Sequence, residues 1–220
     1  MSSFLVEIDT TAAALDAALT ENAILASLMD GTIAPGTYVE RVLAPIFHYT
    51  SESSAWLWRS SERLSAQGRY PGIAEHLAQK SKEERGHEVW ALQDALALGA
   101  RADAIRAASP PSAVRDYVIY NEATCRVGSP LAILGTSYVL EYVAAHSGAK
   151  AVERLAARGG SSGIRHAIRF LRAHAHDDVS HIEELRRALA SISDPRDREA
   201  VLVSAEVTAK LFPRFFTESG

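Results

Sequence analysis

Ile164–Ile192 reads IRHAIRFLRAHAHDDVSHIEELRRALASI, a run without Gly or Pro and the longest candidate helix in the chain. Its Ala, Leu and Arg content favours helix, and apolar residues return every three to four positions. The same texture fills the rest of the sequence, while alternating β-branched runs bounded by Asn-Gly or Asp-Gly turns do not occur. The fold class this implies is all-α.

On the C-terminal side, Asp194-Pro195 caps a last helix toward Phe212, and Leu211–Phe216 offers aromatic residues that dock the chain end on the bundle or on a second copy. On the N-terminal side, Gly159–Gly163 is a connector too short to separate two cores. Ser129-Pro130 opens a helix to about His146, ended by Ser147-Gly148, and Ser112 caps another from Ala113 to about Val127 after the stop at Ser109-Pro110-Pro111. Ile73 to about Leu98 reads as one long helix closed by Gly99. Pro35-Gly36 opens a region with Tyr38, Val39, Val42, Leu43, Ile46 and Phe47 on one face, broken near Thr50–Ser54 before Trp56–Leu64 resumes it. Thr10 or Thr11 caps a first helix that runs to Met29 and ends at Asp30-Gly31. Seven helices with short turns and no repeat period imply one bundle spanning residues 1–220.

Composition narrows the function. With 220 residues, 47% hydrophobic and 23% charged, the chain has the make-up of one globular domain. A net charge of −4 spread along it recommends neither nucleic acid nor an anionic membrane surface as partner. No apolar run approaches the roughly 18 residues a membrane span needs. Met1–Asp9 carries acids rather than a basic leader, so a cytoplasmic location is expected. Cys125 is the only cysteine, which leaves His and carboxylates to hold any metal.

His174, Asp178 and His181 lie at offsets of four and three residues, so on a helix their directions fall within an arc of about 60°. Imidazole and carboxylate donors on successive turns suit a transition metal. The bland reading of such a trio is a solvated, salt-bridged face, and His176, projecting to the opposite side, fits that description. Two further pieces argue against it. Glu84 and His87 put a carboxylate and an imidazole one turn apart, and Glu141 lies in an otherwise apolar segment, where an unpaired carboxylate would be unfavourable by several kcal/mol. Glu141 is therefore bound to a metal, paired with a cation such as Arg126 or Arg172, or left at the surface. Three carboxylates and three imidazoles exceed what a mononuclear site uses and suit two divalent irons better than zinc. Other candidates are weaker. Phe47, His48, Tyr117, Tyr120, Tyr138 and Tyr142 read as core before pocket, Trp56, Trp58 and Trp90 as helix-packing residues, and Arg126 and Arg172 as ion pairs before substrate anchors.

In the order Glu84 with His87, then Glu141, then His174, Asp178 and His181, the sequence resembles the haem-oxygenase-like di-iron oxidases and oxygenases, related in fold to thiaminase II and the PQQ-synthesis oxidase. The segment Pro130–Gly135 leading to Tyr138–Glu141 is also similar to that family's approach to its lone Glu. Members with the longer first spacing carry a carboxylate where this chain has Lys80, so the shorter spacing applies, and Glu83 competes with Glu84 for the first ligand. The resemblance implies a seven-helix haem-oxygenase-like bundle, commonly a homodimer, that activates dioxygen at two Fe(II) ions per subunit. An external electron donor, a reductase or ferredoxin, would supply reducing equivalents. Activities it implies are N-oxygenation of amino-acid nitrogens, oxidative C–C cleavage, and decarboxylation of fatty acids, with a small amino-acid-derived metabolite favoured. Three rivals stand beside it. They are a ferritin-like metal-binding bundle using Glu40 or Glu52, a haem oxygenase using His48, and a hydrolase using Cys125 as nucleophile.

Overall fold

The computed structural model describes residues 3–157 and 163–218, with the side chains of residues 176–180 outside that description. Twelve α segments follow one another: α1 (Ser3–Thr20), α2 (Ala23–Met29), α3 (Pro35–Tyr38), α4 (Ala44–Ala66), α5 (Pro71–Glu83), α6 (His87–Ala97), α7 (Ala102–Ala107), α8 (Ser112–Arg126), α9 (Ile133–Val143), α10 (Ala149–Ala157), α11 (Arg169–Ala190) and α12 (Pro195–Leu211). π turns at Val39–Leu43 and Ala144–Gly148 join α3 to α4 and α9 to α10, and 3₁₀ turns occupy Ile164–His166 and Phe212–Phe215. No strand occurs among the described residues, and one hydrophobic core runs through the bundle. No single helix among them is long and apolar enough to cross a membrane.

The seven expected helices become twelve because capping and glycine chemistry subdivide them. The first helix is not capped at Thr10 or Thr11, whose hydroxyls donate to the carbonyls of Val6 and Glu7 inside α1. The break comes at Asn22, whose Oδ1 accepts from the amides of Ile24 and Leu25 and whose Nδ2 donates to Pro213 O. The break expected at Thr50–Ser54 is absent. There Thr50 and Ser51 donate to Ile46 O and Phe47 O, satisfying their hydroxyls within an unbroken α4, and the irregular turn lies earlier, at Val39–Leu43. Ser147-Gly148 does not end the helix before it either. The chain passes through a π turn into α10, and Gly148 in that turn packs beside Ala175 of α11.

The correction that matters most is at Glu84–Gly86. The single helix expected from Ile73 to Leu98 divides into α5 and α6, because Gly86 takes φ +93°, a left-handed conformation that glycine reaches without penalty. Glu84 closes α5 and His87 opens α6, so the pair spans a corner rather than sharing a helix face.

Several contacts fix the helices that carry the site. Tyr138 of α9 and Arg186 of α11 both bond to Asp9 of α1, and Arg186 Nη1 lies 2.6 Å from Tyr138 Oη. Thr136 of α9 meets Asn121 of α8 and both Ser204 and Thr208 of α12, at 3.0–3.1 Å. Gly135 lets α9 approach α12 so closely that a Cβ there would sit 2.0 Å from Val201 O. Asp194 caps α12 as the sequence implies, accepting from Arg196 N. Leu211–Phe216 docks on the bundle, with Phe215 buried against Tyr49 and Tyr117.

Candidate metal centre

The donors come from four places: the end of α5, the start of α6, the last turn of α9 and the first two-thirds of α11. Glu84, His87 and His174 each present one ligand atom within 4.8 Å of the others, which is a group able to hold a metal ion. His87 Nδ1 stands 3.3 Å from Glu84 Oε2. The His87 ring stacks on Trp90 at 4.1 Å and meets His174 edge-on at 4.9 Å. On the adjoining side, Glu141 Oε2 lies 3.5 Å from His181 Nδ1. His87 Nδ1 and Glu141 Oε2 are buried without a hydrogen-bond partner. Orphaned buried donors and acceptors are rare in a fold and are what a coordinated ion would satisfy. Asp178 stands between His174 and His181 on α11, and its side chain lies outside the described residues, as does that of His176.

The orientation of the imidazoles is prepared. His174 Nδ1 lies 2.9 Å from Phe170 O, one turn back on α11, which leaves Nε2 to face the other donors. That turn is anchored by Asp94 of α6, whose two carboxylate oxygens accept from the amides of Arg169 and Phe170 at 3.0 and 2.9 Å. Tyr38 adds a hydrogen bond to Ala167 O just upstream.

The electrostatics suit ligation. Burial holds the His174 imidazole below its ordinary value, against the nearby Glu84 carboxylate, and so keeps it neutral. Burial opposes ionisation of Glu84, yet the adjacent His87 ring and the nearby His174 ring and Lys80 ammonium outweigh it and leave the carboxyl below its ordinary range. The Glu141 carboxylate raises His181.

Of the two candidates for the first carboxylate, Glu84 faces His87 and His174. Glu83 turns instead to Gln79 and Lys80. Neither arginine meets Glu141: Arg126 pairs with Glu122, and Arg172 is exposed. Cys125 is buried beside Ser60, and burial raises its thiol, the opposite of what a nucleophile needs.

Glu84, Glu141 and His174 open on a cavity of about 330 Å³ that is lined mainly by Leu, Ile, Val and aromatic side chains. Of the aromatic candidates named from sequence, Tyr117 lines it. Sequence reasoning missed Tyr49, and also His76 and Lys80, which stand two turns and one turn before Glu84 on the same face of α5. The 76–80–84 spacing was the available signal, and it was masked by the charged texture of that helix.

Solved structures similar to this bundle have low sequence identity and bear on the fold alone. A domain of unknown function with a heme oxygenase-like fold from Shewanella denitrificans is 20% identical, with a TM-score of 0.78 over 99% of this chain and 91% of that one. A TenA homologue from Pseudomonas syringae is 12% identical, with a TM-score of 0.79 over 98% and 91%. A TenA homologue from Pyrococcus furiosus is 14% identical, with a TM-score of 0.72 over 97% and 98%. The bundle thus has the heme oxygenase-like fold rather than a ferritin-like one. No protein of curated function matches the sequence. The sequence model of the iron-containing redox enzymes matches residues 40–212, and with most of its length so matched the chain belongs to that family.

Proposed function

We propose that the protein is a non-haem di-iron oxidase or oxygenase in which Glu84, His87, Glu141, His174, Asp178 and His181 hold two Fe(II) ions and dioxygen oxidises a small metabolite. The observation that carries this reading is the meeting of Glu84, His87 and His174 beside Glu141 and His181, with His87 Nδ1 and Glu141 Oε2 buried and making no hydrogen bond among the described residues. Iron held there would supply the electrons that reduce dioxygen. The protein's own part is to exclude water and to orient. The apolar walls keep the reacting end of the substrate dry, while Phe170 O and Asp94 fix the His174 ring. Lys80, buried and paired with Glu83, offsets part of the negative charge that Glu84 and Glu141 gather.

An amino-acid-derived substrate undergoing N-oxygenation or C–C cleavage is the leading reading. Fatty-acid decarboxylation at the same site is the second, favoured by the apolar cavity lining. A homodimer, with a reductase or ferredoxin as electron donor in the cytoplasm, completes the proposal.

Anaerobic Fe(II) titration tests it, with Mössbauer spectra of the loaded protein and oxygen uptake in the presence of candidate amino acids and fatty acids. Two coupled Fe(II) ions per chain, oxidised as oxygen is taken up, are expected, and His174→Ala should lose that uptake while keeping its helicity. Failure to bind iron would end the proposal, and tight binding without oxygen reactivity would reduce the protein to a metal-binding bundle.

A further inference from the structure

Asp16 is a carboxylate that the fold does not use. It lies on α1 and lines the cavity, and its Oδ1 is buried with no hydrogen-bond partner among the described residues. Asp9, two turns earlier on the same face, shows how the fold treats a structural acid there, since both Arg186 and Tyr138 bond to it. No such group reaches Asp16. Its neighbour Thr20 donates to the Asp16 backbone carbonyl rather than to the side chain. A buried carboxylate oxygen left unpaired is destabilising, so its presence on a cavity wall calls for a donor arriving from outside the fold.

The surroundings define that donor. The cavity that Asp16 lines is walled largely by apolar side chains, Leu19, Leu25, Leu28 and Met29 among them, which suit a hydrocarbon. Lys80, a cation that also lines the cavity, already has Glu83 at 3.1 Å, and no ion pair to Asp16 occurs among the described residues.

We infer that Asp16 is a specificity determinant that receives the ammonium of an aliphatic amine whose chain fills the cavity. This deepens the proposed function and rests on the reading of the cavity as the substrate chamber of the metal centre. α1, which carries Asp16, packs on α9, which carries Glu141, and on α12, with a lesser contact to α11.

The test is calorimetric titration of the metal-free protein with octylamine, octanol and octanoate. Octylamine should bind tighter than octanol by roughly tenfold or more, the expected gain from a charge-assisted contact in an apolar site. Asp16→Asn should remove that preference and leave octanol affinity within about twofold, because the apolar walls are untouched. Asp16→Ser provides a second variant should the first fold poorly, with the same expectation. Equal binding of amine and alcohol to the wild type, absence of binding, or retention of the preference in both variants would overturn the inference. A preference for octanoate would also overturn it and move recognition to Lys80. Iron uptake without amine preference sinks this inference alone, whereas amine preference without iron uptake sinks the di-iron reading and leaves Asp16 standing.

Discussion

Replacing Asp94 tests how the metal-bearing helix is held. Asp94 is 2% exposed, and its two oxygens accept from the first two amides of α11, Arg169 N at 3.0 Å and Phe170 N at 2.9 Å. Asp94→Ala removes a cap, worth about 1 kcal/mol, and leaves the buried Phe170 amide without an acceptor, worth about 1–3 kcal/mol more. A loss near 3 kcal/mol is therefore expected in urea unfolding. Asp94→Asn keeps one acceptor oxygen and turns its NH₂ toward the other amide, so it should fall between the two. Burial pushes the Asp94 carboxyl up despite those amide donors, so the neutral amide also escapes some desolvation, and its loss should stay nearer 1 kcal/mol. The functional consequence follows from sequence distance. Fraying the first turn of α11 frees Phe170 O, which orients His174, and loss of such a supporting contact weakens metal binding by about 10–100-fold. Co(II) or Zn(II) titration reads this directly. An Asp94→Ala protein that loses under about 1 kcal/mol and binds metal like the wild type would refute the account.

Three further outcomes can be checked. Gly135→Ala should lose about 3 kcal/mol or more, because its Cβ would meet backbone atoms of Val201 and Ala205 at 2.0 and 2.9 Å, and α9 and α12 must part to make room; a loss below 1 kcal/mol would show that the helices slide freely. In the metal-free protein, burial holds His48, His76 and His174 below the ordinary imidazole value, so their contribution is full above about pH 6.5 and is lost as pH falls, when the unfolded chain takes up protons first. His181, raised by Glu141, works the other way, its contribution disappearing as pH rises through its folded value. Three groups against one predict lower stability at pH 5.5 than at pH 7, and thermal melts that stay flat or improve on acidification would contradict it. Asn22→Ala should lower stability by about 1–2 kcal/mol, since it unties both the start of α2 and the carbonyl of Pro213 near the C-terminus; denaturation with no change would separate those two ends.

Much of the site was legible because helical spacing is a local property. His174 and His181 sit seven residues apart on α11 and Glu141 on α9, and periodicity alone gives such faces once a segment is known to be helical. The cap at Asp194 was readable for the same reason, whereas Ser112, expected to cap α8, is instead its first residue and its hydroxyl donates to Glu218 Oε2. Legibility stopped where a residue's partner is distant in sequence. Nothing near Ser147-Gly148 says that α11 will receive that turn at Ala175, and nothing near Glu84 says whether Gly86 will be tolerated inside a helix or used as a corner.

The amino-acid order by itself thus determined the helical class, a single cysteine and a set of candidate metal-ligating side chains. Tertiary structure alone decided that α5 turns at Gly86 so that Glu84 and His87 face His174 from two helices, that Glu84 rather than Glu83 points inward, and that Asp16 is left unpaired on an apolar wall. The division has a physical cause. Helix propensity and capping are settled among residues within a turn or two of one another. Convergence of donors depends on how buried faces pack across the bundle, where contacts such as Arg186 with Asp9 join residues far apart along the chain.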